Sequence, residues 1–149
     1  MKRFIGTKVI EAKPMTRGEY NKYRGWTIPA DENPADEGYL VKYSDDYESW
    51  SPKKQFDEAY RACDNMTFGL AIEAMKKGMK VARKGWNGKK QYIELASNIS
   101  YVNASKKVVN CEHDAIGNKA IAFVGTSGVQ MGWLASQADM LAEDWVIVE

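Results

Sequence analysis

The pattern that most limits the fold is one well-bounded amphipathic helix followed closely by short strand patterns. Thr67 can cap this helix. Its apolar residues recur at helical spacing: Phe68, Ala71, Ile72 and Met75. Gly78 suits the left-handed position beyond the last turn, and Lys80–Arg83 then has the composition of a strand. This order predicts an α+β fold in which a helix packs on antiparallel strands.

Strand patterns separated by turns continue to the end of the chain. The predicted strands are Gln91–Leu95, Ala120–Val124, Val129–Trp133 and Trp145–Val148. A turn is predicted at Gly125–Gly128, and Ser136 can cap a short helical turn that Leu141 would anchor. Residues 96–118 are polar, carry one further strand pattern at Lys107–Cys111, and have the character of a variable insertion.

Residues 1–62 show a pattern of their own. The predicted elements are a strand at Phe4–Ala12 that ends at Pro14, a helix at Arg17–Tyr23 capped by Thr16 and stopped by Gly25, a hairpin of Tyr39–Tyr43 with Tyr47–Trp50, and a helix that Ser51 caps and that runs to about Ala62. The aromatic set of this region, with Arg24 nearby, is explained mostly by core packing: Trp26, Tyr39, Tyr43, Tyr47 and Trp50. We therefore expect an accessory α+β region at 1–62 and a second domain at 63–149.

Charge and composition exclude several classes of protein. Lys and Arg total 21 against 20 acidic residues, so at a formal charge of +1 the chain has no overall field to hold a long nucleic acid. Hydrophobic residues make up 44% of the chain and aromatic residues 11%, which indicates a folded protein. No window approaches the ~20 apolar residues that span a bilayer, and the start lacks the apolar run of a signal peptide. We expect a cytoplasmic protein with no membrane partner.

The residues that usually carry catalysis or bind metals are sparse. His113 is the only histidine, and the chain contains none of the common serine-hydrolase, zinc-protease or phosphate-loop motifs. Cys111 and His113 could form a thiolate pair only in principle, and together they supply too few ligands for a metal. Cys63 and Cys111 lack zinc-type spacing and indicate free thiols in a reducing compartment. We expect no enzymatic activity, catalytic residue, metal or cofactor.

The sharpest local signal lies at residues 81–89, where two cations, an indole, an amide and two glycines follow one another. A hairpin turn at Gly85–Gly88 would carry Trp86 and Asn87 near its tip. An indole stacks on a base, an asparagine reads a base edge, and the guanidinium of Arg83 can grip phosphate oxygens. The alternative is that Trp86 closes a small core while Arg83 and Lys84 are solvated. The residue types alone leave both interpretations open.

A second cluster spans residues 132–145 and combines two tryptophans with hydroxyl, amide and carboxylate groups. Gln137 or Asp139 could bind the diol of a ribose while Trp133 forms a wall. Tryptophans near strand ends also serve as packing residues, so this interpretation has a structural alternative too. The pair Glu143–Asp144 is predicted to be turn or surface charge rather than a general acid.

Three ordered motifs resemble a known family. The motifs are Met66–Gly78, Val81–Gly88 and Gly132–Glu149. Together they resemble the second family of Thoeris anti-defence proteins, which are phage-encoded sponges. The resemblance covers residues 66–149 except the insertion at 96–118, where no pattern matches. It implies a helix with distorted antiparallel sheets, a homotetramer, and capture of cyclic ADP-ribose isomers made by bacterial TIR-domain defence proteins in the cytoplasm of the infected cell.

The resemblance also implies which residues touch the ligand. Trp86 and Asn87 match the motif expected at the site, and the weaker candidates are Arg83, Lys84, Trp133, Gln137 and Asp139. Residues 1–62 would be an addition that extends the oligomer or frames a second site, for example for a cyclic dinucleotide. Two rival functions remain: a phosphodiesterase or hydrolase acting on the same signal, and a phage structural or adaptor protein.

Overall fold

The computed structural model describes residues 1–86, 90–110 and 119–149. The chain divides into two compact units, Met1–Arg61 and Ala62–Glu149. In both units small antiparallel sheets pack with short helices, which confirms the α+β class predicted from the sequence. Within the described ranges, no helix is both long enough and apolar enough to cross a bilayer. Cys63 is an exposed free thiol, whereas Cys111 lies outside the described residues.

The first unit is a three-stranded sheet with two helices. Its elements are β1 (Glu11–Pro14), α1 (Arg17–Arg24), β2 (Gly38–Lys42), β3 (Glu48–Pro52) and α2 (Lys53–Ala59). The strands pair antiparallel in the order β1-β2-β3. Thr16 and Glu19 form a capping box at the start of α1, and Gly25 ends it in the left-handed conformation at φ 72°. The predicted limits of α1 and the predicted hairpin are confirmed.

Two boundaries in the first unit differ from the sequence prediction. The first strand begins at Glu11 rather than Phe4, because Glu11 pairs with Lys42 at the end of β2 and the chain then turns toward β3. Residues 1–10 lie beyond the end of β2 and pair with no strand in the part of the chain that the structure describes. Ser51 belongs to β3 and does not cap α2, which starts after Pro52 and ends at Ala59. The predicted cap and the end at Ala62 are therefore wrong.

The second unit contains a five-stranded antiparallel sheet and a separate hairpin. Its elements are α3 (Phe68–Lys76), β4 (Lys80–Arg83), β5 (Tyr92–Ser97), β6 (Ser100–Val102), β7 (Val108–Asn110), β8 (Lys119–Gly125), β9 (Gly128–Met131), α4 (Gln137–Leu141) and β10 (Trp145–Val148). The larger sheet has the order β10-β4-β5-β8-β9, and β6 pairs with β7. Because β4 lies between β10 and β5, its end is beside the C-terminal strand.

Helix α3 and the middle of the larger sheet form the core of the second unit. Trp145, Ile93 and Val81 are fully buried, and the buried face of α3 packs in the same cluster. Thr67 caps α3 by accepting a hydrogen bond from Leu70 N, and Gly78 has a φ of 88°, as predicted. Trp145, at the start of β10, pairs with Arg83 and so lies beside the end of the strand that leads to residue 86.

The end of the chain and the insertion differ in detail from the prediction. Ser136 caps α4 in a capping box, as predicted, but Leu141 is 77% exposed and is not among the described residues that form or pack against the core of the second unit. The pattern at Lys107–Cys111 corresponds to β7, whose partner β6 was not predicted. The three residues of β6 are all exposed, so its sequence shows no alternation of apolar and polar positions from which a strand could be predicted.

Candidate functional site

Trp86 lies just after β4, at the margin of the core of the second unit. Its indole is half-buried and meets three aromatic rings edge-on: Phe123 at 5.4 Å, Trp133 at 5.8 Å and Trp145 at 5.3 Å between ring centroids. Edge-to-face packing at these distances is favourable because the positive edge of one ring faces the negative face of another. Trp86 is thus held in place by aromatic packing and still keeps part of its surface open.

Trp133 reaches the same place from a distant part of the chain. Gly132, at φ 81°, turns the chain after β9, and Trp133 N donates to the carbonyl oxygen of Ile121 at 2.9 Å. Its ring is half-buried and lies 6.3 Å from Trp145. Two of the predicted site residues, Trp86 and Trp133, are therefore brought together on top of a buried tryptophan.

The three indoles differ in what their N–H groups do. Trp145 Nε1 donates to the carbonyl oxygen of Asp139 at 3.0 Å. In the part of the chain that the structure describes, no acceptor is bonded to Nε1 of Trp86 or Trp133. Half-buried indoles whose N–H groups have no acceptor among these described residues combine a stacking surface with hydrogen-bonding capacity. This arrangement is suited to a planar, polar ligand.

The sequence left a structural role and a ligand-binding role open for Trp86, and its position in the structure is compatible with both. It packs against the core cluster, as the structural interpretation requires. It is nevertheless not sealed in the interior, which a receptor role also requires. Asn87, its predicted partner at the turn, lies outside the described residues.

Arg83 at the end of β4 is engaged with two carboxylates. Its Nη1 lies 3.0 Å from Asp139 Oδ1, and its Nε lies 3.0 Å from Asp144 Oδ1. The hydrogen bonds to Asp144 and Asp139 raise the pKa of the guanidinium above its usual value, so it stays charged. Asp144, predicted to be turn or surface charge, is a half-buried partner of Arg83.

The carboxylate of Asp139 joins several segments. Besides Arg83, it accepts hydrogen bonds from Ser136 N at 3.0 Å and Ser136 Oγ at 2.8 Å. Burial raises the pKa of Asp139, but the hydrogen bonds from Ser136 and Arg83 outweigh burial and bring the pKa below its usual value. Asp139 is therefore ionised at neutral pH.

The remaining predicted site residues are peripheral. Lys84 is exposed, and its backbone N donates to Asp144 O at 3.1 Å. Gln137 is exposed at the first position of α4. Sequence reasoning missed Phe123 and Trp145 as supports of Trp86; their apolar strand patterns indicated core, but nothing local indicated which side chain they would meet.

A cleft of about 370 Å³ lies in the first unit. Its wall includes Met15, Glu19, Glu37, Tyr39 and Lys53. Glu19 and Thr16 already complete the N-terminal cap of α1, and two carboxylates against one lysine give the cleft an acidic balance. This balance disfavours the anionic second ligand that the sequence left open for this region.

Metal-binding geometry is not found in residues 1–86, 90–110 and 119–149, where no three His, Cys, Asp or Glu side chains converge. Cys111 and His113, which the sequence allows as a thiolate pair only in principle, lie outside these ranges. What the described site offers is aromatic surface, unused indole donors and an ion-paired network.

Comparison with known proteins identifies the second unit. The family model Tad2-like, described as a Thoeris anti-defense 2-like domain, matches residues 66–148. A relative named Thoeris anti-defense 2, from Bacillus phage SP01, is 39% identical over 88 residues, which cover 56% of this chain and 94% of the relative. The resemblance seen in the sequence motifs is thus confirmed. The chain belongs to the Tad2-like family, and its role is the phage anti-defence role for which that family is named.

Proposed function

We propose that the protein counters Thoeris defence by binding a nucleotide-derived signal and holding it unaltered. The signal is a cyclic ADP-ribose isomer made by a bacterial TIR-domain defence protein. Family membership and the aromatic site of the second unit support this proposal. Trp86 and Asn87 would make the main contacts, with Lys84, Trp133 and Gln137 around them.

The observation that carries the proposal is the pairing of Trp86 with Trp133. Each ring is half-buried, the two lie 5.8 Å apart, and both rest on the fully buried Trp145. Such a pair offers a preorganised surface for a base, and base–aromatic stacking contributes about 1–3 kcal/mol. Trp86 therefore needs no large rearrangement to receive a planar group.

The affinity required of a sponge supports binding between subunits. Competing with the protein that reads the signal needs a nanomolar Kd, or about −12 kcal/mol. A ligand with on the order of 35 heavy atoms, at roughly 0.3 kcal/mol per atom, approaches this value only if it is well enclosed. One small subunit encloses little, so we propose a homotetramer in which neighbouring subunits complete the site.

The surface of the second unit is compatible with such an assembly. Strand β9 has one unpaired edge within the described sheet, and all four of its residues are exposed. Leu134, which follows β9, is 90% exposed. A second subunit that covered these residues would remove apolar surface from water, which favours association.

The central test is capture of the signal by the full chain and by Trp86→Ala. The probe is the cyclic ADP-ribose isomer that an activated bacterial TIR-domain enzyme makes, and calorimetry measures its Kd. We expect Trp86→Ala to lose capture. Because Trp86 also packs on Phe123 and Trp145, Trp86→Phe serves as a second variant that keeps an aromatic ring, and it should bind more weakly than the wild type while remaining folded.

Trp26→Ala is the matched control for this test. Trp26 is 58% exposed and lies in the first unit, outside the family match, so its removal should leave the Kd unchanged. Wild-type affinity in Trp86→Ala would contradict the site. After binding, heat denaturation should return chemically intact ligand; recovery of a cleaved product would show an enzyme instead.

A further inference from the structure

Arg83 and Asp139 join two segments that each carry a site tryptophan. Arg83 is the last residue of β4 and precedes Trp86 by three residues. Asp139 belongs to α4, the helix that follows Trp133 in the chain. The two charged groups meet at 3.0 Å, with side chains only 25% and 14% exposed. An ion pair at this burial is screened less by water than a surface pair, so it can fix the relative position of the two segments.

Asp139 also accepts hydrogen bonds from Ser136 and Trp145. Its Oδ2 accepts from the N and Oγ of Ser136, which orders the end of the segment that carries Trp133. Its carbonyl oxygen accepts from Nε1 of the buried Trp145, on which both Trp86 and Trp133 rest. One residue thus connects β4, the chain before α4 and the core.

We propose that Arg83 and Asp139 are positioning residues, which hold Trp86 and Trp133 in the geometry that receives the ligand without contacting it themselves. This inference rests on the proposed function. Two guanidinium nitrogens of Arg83 and both carboxylate oxygens of Asp139 are already bonded to protein groups. Both tryptophans lie in irregular segments, where a binding geometry requires support from neighbouring hydrogen bonds.

The test is a double-mutant cycle on capture by the full chain, with the TIR-made cyclic ADP-ribose isomer as the probe. Arg83→Ala and Asp139→Ala are each expected to weaken capture about tenfold or more, an effect of ~1.4 kcal/mol. If the two residues act through their mutual bond, the double variant should have an affinity for the probe no lower than that of the single variant with the lower affinity. Losses that multiply would show that each residue acts separately, for example by touching the ligand, and would overturn the inference.

Further variants separate positioning from general destabilisation. Asp139→Asn keeps the size of the side chain, and Ser136→Ala removes one support of Asp139 without removing either charge; both should weaken capture and alter the near-ultraviolet circular dichroism of the coupled indoles. The controls are Thr67→Ala, which removes the cap of α3, and Glu73→Ala, which removes its exposed ion pair with Lys76. Neither control should change the Kd at a temperature where the protein is folded.

Trp86→Ala, measured in parallel, distinguishes the possible failures. If that variant captures the probe normally, the proposed site itself is wrong. If it loses capture but Arg83→Ala and Asp139→Ala bind like the wild type, the site stands and only the positioning role is overturned.

Discussion

Asp139 lies on α4 with one carboxylate oxygen against Arg83 and the other against Ser136. Its function as a cap follows from its spacing to Ser136, whereas its ion pair with Arg83 depends on two segments that meet only in the folded chain. Gly38 is a second residue whose role depends on its surroundings: a Cβ there would lie 2.4 Å from Ser51 O and 2.4 Å from the Trp50 ring.

The first residue-scale prediction concerns pH. Because the pKa of Asp139 is lowered in the folded protein, its carboxylate stabilises the fold above its unfolded pKa of about 4 and loses this effect as the pH falls through the folded pKa. Asp139→Asn should therefore be less stable than the wild type at pH 7, and the difference should shrink as the pH falls below about 4 and through the folded pKa. Urea denaturation of both proteins across this range measures it; a constant difference would contradict the assignment.

The second residue-scale prediction concerns Gly38. Gly38→Ala forces the backbone of β3 or the Trp50 ring to move, and overpacking of this kind costs about 1–3 kcal/mol. Hydrogen exchange at Glu11–Pro14 and Glu48–Pro52 should accelerate. Gly6→Ala is the matched control, since nothing lies within 4 Å of a Cβ there, and it should leave these rates unchanged.

At the scale of elements, helix limits follow local signals more closely than strand limits do. α1, α3 and α4 each begin after a Ser or Thr that accepts a backbone hydrogen bond, and all three starts could be predicted from the sequence. The start of β1 could not, because it depends on where β2 ends. A helix cap is satisfied within one turn, whereas a strand needs a partner from elsewhere in the chain.

The element-scale prediction tests the cap of α1. Thr16→Ala removes the side-chain oxygen that accepts from Glu19 N and should cost about 1 kcal/mol. Faster hydrogen exchange confined to Arg17–Arg24 would be the measured result. Thr7→Ala, at an exposed position outside any element, should have no effect, and equal effects in both variants would argue against the cap.

At the scale of the whole molecule, the family domain occupies residues 66–148, within the second of the two compact units. We expect the proposed tetramer to form through the surface of that unit, because the motifs whose resemblance implies assembly lie there. Its exposed apolar side chains include Val129, Met131, Leu134 and Leu141. The first unit has exposed apolar residues of its own, which provide a control.

The whole-molecule prediction couples assembly to capture. Leu134→Asp places a charge in the proposed contact and should convert the tetramer to smaller species, with a parallel loss of affinity. Light scattering after size exclusion and calorimetry would measure the two effects. Ile5→Asp introduces the same charge at a residue that is 95% exposed in the first unit and should change neither. If a Leu134→Asp variant that no longer forms tetramers bound the signal with wild-type affinity, assembly and capture would not be coupled.

The class of fold, the starts of three helices, the hairpin of the first unit and the family motifs could all be predicted from the amino-acid sequence. These depend on periodicity, capping groups and glycines, whose effects act over a few residues. The folded structure was needed to find that Trp86 packs against Phe123, Trp133 and Trp145, and that Arg83 pairs with Asp139 across a separation of 56 positions. Such pairings depend on the order of strands in the sheet, which brings β10 and β4 together and which no local pattern encodes.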